Sequence, residues 1–283
     1  MGTSQSSNGS PGGVPMVPPW VPDVPDPVPP TGDPVAPPGG GDGGSGIPSA
    51  QPAPAPPPMP IAPSGRFAGA RRNLGSFASG GDKGAMRRGV GQYFKGGYGG
   101  GATAVRRFGG TARTAAGLFG ALSPGASAAT GGAIDHAVLI GRSADQIMDA
   151  IVEAVRPVDG TQDAEASRAA IKDALSEMLD RFPDADLLSL EDEQRIFAVE
   201  HFVALDVFRR LQLDLGKIIQ NKAPTLTAAM ARLKEVREYV KETVAASFRK
   251  LEAAGTRLVA SLVPRIVRAA MTEAIAVFQA YAE

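Results

Sequence analysis

The chain has 283 residues with 29 basic and 29 acidic side chains and no cysteine, so its formal charge is zero and disulfides, zinc–thiolate sites and thiol catalysis are excluded. That average conceals three unlike segments: 20 of the 25 prolines precede Arg66, and net charge runs −4, +9 and −5 over residues 1–65, 66–125 and 126–283. No run of about 18 apolar residues is present to span a bilayer, and no basic residue precedes Arg66 to begin a signal peptide, so a cytoplasmic protein is expected.

Residues 1–65 form the first segment. Proline and glycine make up about half of it, too much for it to bury the apolar surface that would offset its ordering entropy, so a disordered arm is expected. Its Val-Pro segment and the Ala-Pro tract over 52–63 favour polyproline II, and glycines 39–46 allow a bend between them. The only tryptophan, Trp20, sits among prolines, where it is either a docking anchor or a solvated side chain.

Residues 66–132 form a basic, glycine-rich neck. Pairs such as Arg71-Arg72, Arg87-Arg88 and Arg106-Arg107 alternate with Phe77, Tyr93, Phe94, Tyr98, Phe108 and Phe119. Helical spacing is visible around 83–95 and 102–122, but each glycine costs about 1 kcal/mol against alanine, so marginal helices are expected. Two readings remain open for this cationic, aromatic stretch. In one, arginines hold phosphates and aromatics stack on single-stranded nucleic acid. In the other, which the acidic C-terminal part favours, the neck wraps that body or an acidic partner and buries Tyr93, Phe94 and Phe119 as pegs.

From residue 133 the texture is that of an all-helical domain. Ser143 and Gln146 have capping-box spacing and open a helix stopped by Pro157. Thr161 or Asp163 caps the next, which ends before Pro183. A third begins at Ser189–Asp192 and runs to Lys222 before Pro224, with its apolar segment 196–215 as the expected centre of the bundle. Thr225 or Thr227 starts the last section. There Leu226, Met230, Leu233, Val236, Val240, Val244, Phe248 and Leu251 form one stripe, and a second follows from Leu258 to Phe278. An unbroken helix over 226–281 would be about 80 Å long, so the section must bend, with Gly255 and Pro264 as candidate breaks. The expected fold is all-α: a C-terminal helical bundle preceded by the arm and the neck.

Catalytic patterns are missing. The two histidines, His136 and His201, have no second ligand at metal-binding spacing, and His201 shares an apolar helix face with Phe197 and Leu205. There is no Walker loop, no dinucleotide fingerprint and no Gly-x-Ser-x-Gly. No enzyme, cofactor or metal is expected.

Removal of Met1 ahead of the small Gly2 would leave an unhindered α-amine with an ordinary pKa of about 7.7–8.0, a good acyl acceptor near neutral pH. Met1-Gly2-x-x-x-Ser6 also fits the myristoylation pattern, but a single chain anchors only marginally, and the acidic Asp23, Asp26 and Asp33 that follow argue against a membrane.

Four sequence features together resemble the QatB family of the bacterial Qat anti-phage defence system. They are Met1-Gly2-Thr3-Ser4; Val14-Pro15-Met16-Val17-Pro18-Pro19-Trp20; the neck entry Arg66-Phe67, Arg71-Arg72-Asn73-Leu74 and Phe77-Ala78; and a Gly-Ala-Arg neck followed by helices. The resemblance implies a setting with an ATPase, a QueC-like enzyme and a TatD-like nuclease, and a complex with the QueC-like partner. Enzymes of that type use ATP to activate a deazaguanine carboxylate for attack by an amine. On this resemblance Gly2 is the expected acceptor, and Thr3, Ser4, Ser6 and Trp20 guide the arm into the partner. Arg71, Arg72, Phe77, Arg87, Arg88, Tyr93, Phe94, Arg106 and Arg107 are the expected partner contacts. The alternative is a structural adaptor, or a single-stranded nucleic-acid binder that uses the neck.

Overall fold

Residues 63–126 and 134–283 are described by a computed structural model; the expectations for Gly2, Thr3, Ser4, Ser6, Trp20 and the proline tracts lie outside these residues. Nine α-helices and no strand occur among the described residues, so the class is all-α. They are α1 (Ala68–Gly80), α2 (Lys83–Gln92), α3 (Gly101–Arg107), α4 (Gly109–Ala121), α5 (Ala144–Val155), α6 (Gln162–Arg181), α7 (Asp192–Lys222), α8 (Leu226–Ala253) and α9 (Val263–Ala280). A π-helical turn, Tyr93–Gly97, continues α2.

Helices α5 to α8 begin and end where local chemistry directs. Ser143 and Gln146 make the reciprocal capping box of α5. Thr161 Oγ1 accepts from Ala164 N at 3.1 Å to start α6, and Thr225 Oγ1 accepts from Ala228 N at 3.1 Å to start α8. Glu191 and Gln194 cap α7, whose 31 residues span roughly 46 Å. The run from Phe202 to Phe208 is buried at every position, so α7 is covered on all sides and forms the axis of the bundle, against which α1, α4, α6 and α8 pack. The last section folds back at Gly255 (φ 83°), and Pro264 stands in the first turn of α9, where its missing N–H costs nothing. Helices α8 and α9 then lie side by side and exchange a Lys250–Glu273 ion pair at 2.5 Å.

The α8 stripe departs from expectation at its start. Leu226 is 75% and Met230 65% exposed, Leu233 and Leu251 are half-buried, and the stripe is fully buried only from Val236 to Phe248, because the first turn of α8 turns Ala229 rather than Leu226 or Met230 to the core.

The neck differs more. Helix α1 has no counterpart in the expected helices, and α2 carries on into the π-turn. Phe67, Leu74, Phe77, Val90, Tyr93, Phe94, Phe108, Leu118 and Leu122 join the same buried cluster as the body's Phe202, Leu211, Val240 and Phe278. Neck and body thus share one core. Glycines that weaken an isolated helix here permit contact. A Cβ on Gly89 would lie 2.7 Å from Leu74, one on Gly91 2.5 Å from the Phe278 carbonyl oxygen, and one on Gly97 would strike the Phe67 ring.

Candidate functional site: the seam between neck and bundle

The neck meets the bundle through an aromatic cluster with buried carboxylates at its edge. Phe67 stacks on Tyr93 with ring centroids 5.5 Å apart; Tyr98 meets Phe67, Tyr93 and Phe108 edge-on; Phe94 stacks on Phe278 of α9. The hydroxyls of Tyr93 and Tyr98 each donate to Asp214 Oδ2 at 2.9 Å. Burial pushes the Asp214 carboxyl above its ordinary range, although both tyrosine hydrogen bonds oppose the shift. Burial and the neighbouring Asp214 charge raise both phenols, so they act as fixed donors.

A second polar group lies one turn earlier on α7. Asp163 Oδ2 accepts from Arg107 at 2.6 Å and from Arg210 at 3.1 Å, which ties α3 to α6 and α7. Burial alone would raise its carboxyl, but the guanidiniums of Arg210 and Arg107 hold it below the ordinary value. Arg210 also reaches Asp206 Oδ2 at 3.3 Å and lies over the Phe108 ring. Thr111 donates to the same Asp206 oxygen, while Asp206 Oδ1 is buried without a partner. Asp206, Arg210 and Asp214 are spaced by four, so they line one face of α7, the face the neck covers. The i, i+4, i+8 spacing of Asp206, Arg210 and Asp214 was the available signal for this seam, diluted by the polar Arg209 and Gln212 between them.

The seam accounts for several of the expected partner contacts. Phe77 is fully buried beneath the Arg232 guanidinium, 5.3 Å from its ring centroid, and Tyr93 and Phe94 are fully buried in the aromatic cluster. Those three present no surface to a partner, because the body has already filled their surroundings. Arg107 is committed to Asp163. Arg71 is half-buried and, like Arg106, engaged in contacts within the chain. Arg72 faces solvent on α1; on α2, Arg88 pairs with Asp82 at 3.4 Å and Arg87 lies 5.5 Å from the Tyr281 ring centroid, both exposed.

Both histidines are structural in their contacts. His136 places one ring nitrogen 2.9 Å from the Leu188 carbonyl oxygen and the other 2.7 Å from that of Ala121, bracing the end of α4. His201 stacks on Phe197 and lies 2.7 Å from Glu177 Oε2. Glu177 also receives Lys241 at 2.8 Å and Arg237, joining α6, α7 and α8. Among the described residues no group of three His, Cys, Asp or Glu could hold a metal ion, and no helix is long and apolar enough to cross a membrane.

These features define an all-helical protein with one shared core, whose buried polar groups hold helices together. The chain belongs to the QatB family: the family described as Qat anti-phage system associated protein QatB matches residues 99–278, well over half of the sequence. It is thus a component of an anti-phage defence system. No curated protein and no solved structure matches the chain.

Proposed function

We propose that the protein is the presenting component of its defence system: the bundle and neck dock a QueC-like enzyme, and the arm offers the α-amine of Gly2 as acceptor for a deazaguanine-type modification. The observation that carries this reading is the commitment of the neck to the body. With Tyr93, Phe94 and Arg107 held in the seam, the neck is a rigid collar that fixes where the arm leaves the bundle. The same commitment counts against single-stranded nucleic-acid binding, which would need those aromatics exposed for stacking. Arg72, Arg87 and Arg88 are among the neck's basic side chains that face outward for a partner, alongside Lys83, Lys95, Arg106 and Arg113, and Thr3, Ser4, Ser6 and Trp20 belong to the delivery of Gly2. The system's ATPase and TatD-like nuclease would act on or beside that complex, in the cytoplasm.

The test is intact-mass measurement of the full chain co-expressed with the QueC-like enzyme. A mass added on the peptide ending at Arg66 and lost in Gly2→Pro supports the acceptor role. An unmodified terminus within a stable complex refutes it and leaves the adaptor reading, which the open apolar turn at Leu226 and Met230 favours.

A further inference from the structure

Two pairs of exposed apolar side chains stand at opposite ends of α7, each in surroundings of opposite charge. Leu226 and Met230 are four apart on α8, and Lys234 is the next residue of that face. Lys217 and Lys222 lie in the last two turns of α7, which lead into the same corner. All three lysines are exposed and make no ion pair among the described residues, and no acid occurs between Lys217 and Lys234. Arg232, the remaining cation there, is paired with Glu235 at 2.6 Å.

At the other end, Val138 is 67% and Ile140 75% exposed, on either side of the buried Leu139. Their loop is pinned by His136, whose ring nitrogens lie 2.9 Å from the Leu188 carbonyl oxygen and 2.7 Å from that of Ala121. It therefore sits against the link between α6 and α7. Residues 180–195, which contain that link, carry six acids and two arginines. Asp184, Asp186 and Glu191 are exposed and make no ion pair among the described residues. Within the loop itself Asp135 and Arg142 cancel.

We propose that the Leu226–Met230 face docks the Val138–Ile140 loop of a second copy, so that the protein associates head to tail. The apolar pairs meet each other, and the lysines around one face the acids around the other. Both surfaces are held in place before contact, one by the helix that Thr225 caps and the other by the two hydrogen bonds of His136, so little ordering is required. One copy cannot satisfy both faces, because α7 separates them by roughly 46 Å. The contact is heterologous: each copy uses one face on each neighbour, and repetition builds a row rather than a closed pair. Two apolar pairs with charged surroundings make a small interface, so association is weak and is expected at roughly 0.1 mM chain and above.

The test is sedimentation velocity on the full chain without any other protein. Wild type is expected to associate with rising concentration, about ten-fold less strongly when ionic strength rises from roughly 0.05 M to 0.5 M. Met230→Glu spoils one face and Ile140→Lys the other; both positions are exposed, and circular dichroism checks that each variant is folded. Either variant alone should sediment as a monomer. Mixed together they retain one intact face of each kind, so a one-to-one dimer should form and grow no further. A monomeric wild type, association unaffected by either substitution, or a mixture that stays monomeric overturns the proposal, the last by showing that the two faces do not meet.

Discussion

Phe94 of the neck lies against Phe278 of α9 with ring centroids 5.2 Å apart and planes 9° from parallel, and both rings are fully buried. This contact makes the basic segment and the helical body one folding unit. Phe94→Ala is expected to cost about 3–5 kcal/mol, and unfolding in urea should remain a single transition. Tyrosine fluorescence, to which Tyr93 and Tyr98 of the neck contribute with Tyr239 and Tyr281 of the body, and far-UV circular dichroism should report coincident midpoints; separate midpoints would mean that the neck unfolds alone.

The glycines make a contrasting pair of predictions. Gly91→Ala drives a methyl group into the backbone of Phe278 and Ala282, with the nearest atom 2.5 Å away, and should lower stability by more than about 2 kcal/mol. Gly120 of α4 has open space around its Cβ position and no left-handed backbone, so Gly120→Ala should raise stability by about 0.5–1 kcal/mol. Thermal denaturation of the two variants decides whether the glycines serve contact or merely flexibility.

On the polar side of the seam, Arg210→Leu would strand Asp206, already short of one partner, and is expected to cost about 3–5 kcal/mol. The double replacement Arg210→Leu with Asp206→Leu should recover part of that loss, since an apolar pair removes both desolvation penalties. A double-mutant cycle showing additive losses would contradict the coupling.

Glu177 gives the fold an acid limit. Burial would raise its carboxyl, but the hydrogen bonds from His201 and Lys241, with the Lys241 and Arg237 charges, hold it down at about 2. Its folded pKa lies below the ordinary 4.5, so its contribution is complete above about pH 5 and is lost as pH falls toward 2. The contribution is on the order of 2 kcal/mol, and Glu177→Gln should remove it with the corresponding pH dependence. Urea midpoints of wild type and variant should converge below pH 3 and diverge at pH 6.

Charge reversal at the exposed arginines separates surface from core. Arg72→Glu, Arg87→Glu and Arg88→Glu together should leave the melting temperature within a few degrees of wild type while lowering co-purification of the QueC-like partner. Unchanged co-purification across a salt series would move the docking surface elsewhere, with Leu226 and Met230 the next residues to test.

Helix boundaries in the body were legible because their physics is local. Ser143 with Gln146, Thr161 and Thr225 each satisfy free N–H groups a few residues away, and Pro157, Pro183 and Pro224 each lack an N–H to continue a helix. Composition likewise separates the three segments, since proline and glycine content acts without reference to any fold. The seam was not legible in the same way. Nothing near Tyr98 in sequence indicates Asp214, and nothing near Arg107 indicates Asp163; these pairs exist because α7 runs through the centre and presents Asp206, Arg210 and Asp214 to whatever covers that face. Glycine shows the limit most clearly: by itself it signals a weak helix, and only the approach of Leu74, Phe278 and Phe67 turns Gly89, Gly91 and Gly97 into the positions that let the neck join the core. Local hydrogen bonding therefore set where the body's helices start and stop, while long-range packing decided which aromatics and cations remained available to a partner.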